Sequence, residues 1–190
     1  MKDWIKQILK ETLDELSTKE KDPFGAGCYH RVYTSVKNPN MLYKVGDRDI
    51  VEGWVRIFKK YPDMFPKVYR VFPFKKNPNY WVVEIEKLDR DRAEKEFKEL
   101  DDFVYNCELT YKGLVIRFSR IYLEGYLSTV INNIKTHGVE GLQKYIPLLE
   151  KWADYLDRLA KILEVENDYP DFHEGNFAYD SNNNIKAIDI

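Results

Sequence analysis

The chain has 190 residues, 44% hydrophobic and 15% aromatic, which excludes a disordered chain because there is ample apolar surface to offset backbone ordering. Its 30 basic and 32 acidic residues leave a net charge of −2, so no general electrostatic attraction draws it to nucleic acid or to an anionic membrane. Cys28 and Cys107 lie far apart without CxxC spacing, and the opening residues lack the apolar core of a signal peptide; the expectation is a cytoplasmic protein with no zinc site, disulfide framework or membrane span.

Taken from the start, residues 3–17 read as an amphipathic helix, with Trp4, Ile5, Ile8, Leu9, Leu13 and Leu16 near one face. From Lys21 the pattern turns strand-like. Gly25 and Gly27 interrupt an apolar run that resumes at Arg31-Val32-Tyr33-Thr34, the signature of strand, glycine turn and strand. Lys37-Asn-Pro-Asn40 signals a turn, and Met41–Val45 reads as a third strand with Lys44 inside it. A lysine between Tyr43 and Val45 either points to solvent from an edge or is buried and needs a partner.

A helix is expected from about Asp49 to Lys60, with Ile50, Val51, Trp54, Val55 and Phe58 on its apolar side, Asp49 as N-cap and Glu52 in its first turn. Two strands follow, Lys67–Phe74 and Tyr80–Glu86, joined by the hairpin turn Lys75–Asn79. Leu88–Asp91 then serves as a connector. Helices are expected over 91–106, 119–135 and 142–164, with 109–118 ambiguous between strand and helix. Pro147 falls near the first turn of the last helix, where a missing N–H costs least. Two short strands, Phe177–Tyr179 and Ile185–Ile188, close the chain around the turn Asp180–Asn184.

Asp171-Phe-His-Glu-Gly-Asn176, with Asp189 thirteen residues on, supplies a carboxylate, a carboxamide and a second carboxylate. Phosphoryl transfer needs such a set: a base to orient a hydroxyl, and two oxygen ligands for Mg²⁺. Asp and Asn are also common turn formers, so Asp171 after Pro170 also fits a turn cap and Asn176 a loop brace. His173 reads as a loop-bracing hydrogen bonder.

In this order the elements resemble the protein-kinase-like fold in its broad sense, which includes aminoglycoside and choline phosphotransferases. Gly25-x-Gly27-x-x-His30-x-Val32 is similar to that family's glycine-rich loop with the third glycine replaced by His30, and Lys44 to its third-strand lysine. The steps from Asp171 to Asn176 and on to Asp189 match its catalytic loop and metal-binding Asp. The resemblance implies an α+β, two-lobed fold: an N-terminal helix (1–19), an antiparallel-sheet N-lobe with one helix (20–88), and a reduced helical C-lobe (89–190). It implies ATP and Mg²⁺ as cofactors. Gly25 and Gly27 would cover the phosphates, Lys44 would pair with Glu52, Val32 would pack on adenine, and Glu84 and Glu86 would offer backbone groups to its edge. Asn176 and Asp189 would hold the metal, with Asp171 as base.

The sequence ends one residue after Asp189, which under this resemblance leaves out the activation segment and peptide-docking helices. The expected function is therefore an ATP- and Mg²⁺-dependent phosphotransferase acting on a protein or small-molecule hydroxyl. A pseudokinase serving as a binding module, self-association included, is the alternative, and nucleotidyl transfer a third.

Overall fold

The computed structural model describes residues 25–26, 30–35, 38–74, 77–106, 131–132, 134–136, 143–168 and 174–189. The expected helix at 3–17, the ambiguous stretch 109–118, both cysteines, Gly27, Asp171 and His173 lie outside the described residues. The chain divides into two units, Met1–Leu88 and Asp89–Ile190.

The first unit is built on five antiparallel strands: β1 (Gly25–Ala26), β2 (His30–Thr34), β3 (Met41–Asp47), β4 (Val68–Pro73) and β5 (Tyr80–Glu86). Their spatial order is β1-β2-β3-β5-β4, so β5 is inserted between β3 and β4. Two Asn-Pro-Asn turns set the strand ends by one device. Asn38 Oδ1 accepts the Asn40 N–H at 3.0 Å, and Asn77 Oδ1 accepts the Asn79 N–H at 3.1 Å. Each side chain thus satisfies a backbone donor where the ladder stops.

Helix α1 (Arg48–Lys60) follows β3 directly and packs on the sheet through Val51, Trp54, Val55 and Phe58. Those positions repeat at the spacing that puts side chains on one helical face. The cap differs from expectation: Asp47, not Asp49, starts the helix, its Oδ1 accepting the Asp49 N–H at 3.1 Å. The chain enters the helix one residue earlier than the apolar periodicity indicates, and the Arg48 N–H, which has no acceptor within the helix, donates to the Asn79 carbonyl at 2.8 Å. Tyr33, Tyr43, Val45 and Val82 form a buried cluster on the sheet.

In the second unit, helix α2 (Arg90–Asn106) and helix α3 (Ile146–Glu166, entered through a 3₁₀ turn at Gln143–Tyr145) flank a two-stranded hairpin of β6 (Phe177–Tyr179) and β7 (Ile185–Ala187). Asp89 caps α2, accepting the Arg92 N–H at 3.2 Å. Residues 131–132 and 134–136 are helical, with Ile131 and Ile134 buried. Asn167 ends α3 in the left-handed region at φ 56, where a carboxamide side chain is tolerated better than most.

The core here is aromatic. Phe177 stacks on Phe97 with ring centres 5.7 Å apart and meets Trp152 and Tyr155 edge-on at 5.3 and 6.1 Å. Offset and edge-on contacts match ring edges to ring faces, adding to the burial of four large side chains. This cluster fixes Phe177, and with it the start of the hairpin.

Candidate functional site

In the first unit the sheet register gathers residues from all five strands into one line. Gly25 pairs with Val32, Val32 with Lys44, Lys44 with Val83, and Val83 with Val71. Residues directly opposite in antiparallel strands project to the same face. Val32 and Lys44 therefore lie side by side, with Val83 next along and Gly25 at the far end.

Lys44 is buried, with 2% of its surface exposed. Its Nζ sits 4.7 Å from the centre of the Trp54 ring on α1. A buried ammonium is costly without electrostatic compensation, and the negative face of an indole supplies some of it.

Glu52 was expected beside Lys44 and is instead directed elsewhere. Its carboxylate accepts from Arg48 Nε at 3.0 Å, and its side chain is 44% exposed. The cause is local. Arg48 lies four residues before Glu52 on the same helix, at the spacing where opposite charges meet. The inward-facing position of that stretch is taken by Val51.

Glu84 and Glu86 also differ from expectation. Glu84 lies mid-strand with Tyr43 opposite on β3 and Arg70 opposite on β4, so its backbone belongs to the ladder. Its side chain, 5% exposed, takes a two-pronged contact from Arg70, Nε to Oε2 at 2.7 Å and Nη2 to Oε1 at 2.5 Å. That geometry satisfies a buried carboxylate well. The Glu86 N–H donates to the Lys67 carbonyl at 2.9 Å, and the Lys87 N–H donates to Asn40 at 2.9 Å. These donors are used inside the sheet. Their commitment follows from the strand order, which places β5 between two neighbours.

In the second unit the hairpin sets the backbone of Asn176 opposite Ile188, one residue before Asp189. The register Phe177 with Ala187 continues one step, where the Ile188 N–H donates to the Asn176 carbonyl at 2.9 Å. Asp189 is the next residue. Asn176 ends a 3₁₀ turn at Glu174–Asn176 and is buried, whereas Asp189 is half-buried. A carboxamide oxygen and a carboxylate oxygen are a hard donor pair that suits Mg²⁺, which retains several waters and needs few protein ligands. Among the described residues no three His, Cys, Asp or Glu side chains converge as a metal cluster.

The turn between the strands is tightly organised. Asp180 Oδ1 accepts the N–H groups of Asn182 and Asn184 at 2.9 and 2.8 Å, and Oδ2 accepts Asn184 Nδ2 at 3.0 Å. The Lys186 ammonium is 3.6 Å away. Burial alone would raise the Asp180 carboxyl, but the Asn184 and Asn182 hydrogen bonds and the Lys186 charge outweigh it and hold the group below its usual range.

At the far end of β6, Asp89 and Tyr179 exchange backbone hydrogen bonds of 2.8 and 2.9 Å. The Tyr179 hydroxyl donates to Glu96 and accepts from Lys151 Nζ at 2.8 Å, while Arg92 lies over the ring. Burial, then the Glu96 carboxylate, pushes the Tyr179 phenol well above its usual range. Burial lowers the Lys151 ammonium, with Arg92 acting in the same direction and Glu96 opposing. This network ties α2 and α3 to the hairpin.

Sequence reasoning placed Trp54 on the apolar side of its helix without linking it to Lys44. The available signal was a large aromatic residue on the inward face of the helix directly after the lysine strand. The Arg70 partner of Glu84 carried no comparable signal, because strand order is not written in local pattern.

No protein-family model and no curated protein matches the chain. Among solved structures it is similar to a gentamicin complex of APH(2″)-IIa, at 12% identity over 96% of this chain and 68% of that one, with a TM-score of 0.34. It is also similar to the aminoglycoside phosphotransferase APH(4)-Ia, at 13% identity, 97% and 71% coverage and a TM-score of 0.38. A GDP complex of an aminoglycoside 2′-phosphotransferase is similar at 12% identity, 100% and 71% coverage and a TM-score of 0.38. The chain is α+β, with a five-stranded antiparallel sheet and one helix in its first unit and helices around a two-stranded hairpin in its second. No helix among the described residues is long and apolar enough to cross a membrane.

Proposed function

We propose that the protein is a phosphotransferase that moves the γ-phosphoryl group of ATP, with Mg²⁺, to a hydroxyl of a small molecule or a protein. The observation that carries this reading is the buried Lys44, set beside Val32 in the line of residues leading from Gly25. A buried ammonium on the sheet face that also carries Gly25 and Val32 suits the oxygens of a polyphosphate. Support from the second unit is the hairpin whose pairing sets Asn176 opposite Ile188, the residue before Asp189.

Under this proposal Gly25 and Gly27 let the backbone approach the phosphates, and Val32 packs on the base. Lys44 binds phosphate oxygens. Asn176 and Asp189 would hold Mg²⁺, which when bound offsets the charge on those oxygens. Asp171 orients the acceptor hydroxyl and takes its proton as the new oxygen–phosphorus bond forms. The bond from the γ-phosphorus to its bridging oxygen breaks, and ADP leaves with that electron pair. The backbone groups of Glu84 and the N–H of Glu86 have no adenine role, being used within the sheet.

The test is incubation with γ-labelled and, separately, α-labelled ATP. Label moving from the γ position alone is expected. Label moving from the α position would replace this reading with nucleotidyl transfer. Asp171→Ala is expected to abolish transfer while ATP still binds; unchanged turnover removes Asp171 from its role. The second reading, a binding module without transfer, is favoured by the placement of Glu52 on Arg48, and is established if neither label moves with any hydroxyl acceptor.

A further inference from the structure

We infer that Trp54 is a positioning residue for Lys44, holding its ammonium from the side of the helix. This rests on the phosphotransferase reading of Lys44 and names a further residue of that site. Lys44 Nζ lies 4.7 Å from the centre of the Trp54 ring, within the range of a cation–π contact. The helix glutamate, Glu52, is held by Arg48 at 3.0 Å and is 44% exposed.

The ring is itself braced. Trp54 packs on Phe58 with centres 5.2 Å apart, and Phe58 stacks on Phe65 at 4.8 Å and 11°. The indole therefore offers a fixed surface, and a lysine, whose four-carbon stem carries much rotamer freedom, keeps its head group in one place. A second observation bears on why the residue is tryptophan. Its Nε1–H is buried with no acceptor among the described residues, an arrangement that carries a cost phenylalanine would not incur. Indole has the strongest cation-binding face of the aromatic side chains. The cost is accounted for if the ring face, not the N–H, is what the site uses.

The experiment measures the Mg-ATP dissociation constant by calorimetry for the intact protein and for Lys44→Met, Trp54→Phe, Trp54→Met and Trp54→Leu, with the unfolding midpoint of each. Trp54→Met and Trp54→Leu are expected to weaken binding about tenfold, and Trp54→Phe to recover most of that loss, since it retains an aromatic face. Uniform incorporation of ring-fluorinated tryptophan thins the negative face with little change of shape. It is expected to weaken binding in the parent chain and to leave Trp54→Phe unaffected, a result that a purely structural role would not give. If Lys44→Met binds Mg-ATP as tightly as the parent, the phosphotransferase reading of Lys44 fails. If Lys44→Met is weakened while the Trp54 variants bind as the parent does, or fluorination acts equally in both backgrounds, the inference about Trp54 is overturned and that reading stands. Should the aliphatic variants not fold, the fluorination arm alone decides between these outcomes.

Discussion

Asp180 shows how one side chain can hold a turn. It accepts three hydrogen bonds from Asn182 and Asn184 and lies 3.6 Å from the Lys186 ammonium. Asp180→Ala takes the acceptor away from all of these donors and is expected to cost about 2 kcal/mol in urea unfolding. The direction of its pKa also fixes a pH dependence. Its carboxyl is held below the usual range in the folded chain, so its contribution is full above the unfolded value of about 4 and is lost as pH falls through the folded value. Asp180→Asn should show a shallower loss of stability on acidification below about pH 4 than the parent chain. Equal acid slopes would remove the carboxylate from this role.

At the scale of elements, most of the architecture was legible where period and punctuation agreed. The strand Met41–Asp47, the strand Tyr80–Glu86 and the hairpin 177–187 each follow a run of β-branched or aromatic residues bounded by Asn-Pro-Asn or Asp-Ser-Asn turns. Helix α3 follows from its long 3.6-residue period. What local pattern does not carry is competition between neighbours. Glu52 had two possible cations, and the one on its own helix prevailed. Glu84 follows the apolar run 80–83 of a strand that reads as largely buried, but the partner that satisfies it comes from β4 pairing on the other side. The N-cap is Asp47 and not Asp49, and the Arg48 N–H beside it is taken by a carbonyl from the 77–80 turn, a partner that local pattern does not show. Asp47→Ala is expected to cost about 1 kcal/mol in thermal unfolding, the ordinary value for a lost cap, and Asp49→Ala distinctly less.

For the whole molecule, the proposed reading makes stability depend on nucleotide and metal together. A ligand that binds only the folded chain, at 100 times its dissociation constant, adds about 2.7 kcal/mol. For a chain of this length that raises the unfolding midpoint by roughly 5–10 °C. Scanning calorimetry with ATP should show that rise with Mg²⁺ and a clearly smaller one with a chelator present. An equal rise in both conditions would leave Asn176 and Asp189 without a metal to hold. Of the candidate residues, Lys44 and Val32 were brought onto one face by register, and Asn176 and Asp189 onto one hairpin end. The sequence spacing from Asn176 to Asp189 was visible beforehand, but what makes it meaningful is the tight turn at Asp180 that folds it back on itself.

The line from Gly25 through Val32, Lys44 and Val83 to Val71 has a corollary for how such a chain can change length. Because side chains alternate between faces, adding or dropping a single residue inside β2, β3 or β5 would turn the lysine away from its valine neighbours. Gains and losses of sequence should therefore collect at the bends around Pro39 and Pro78, where the strands can stay in step.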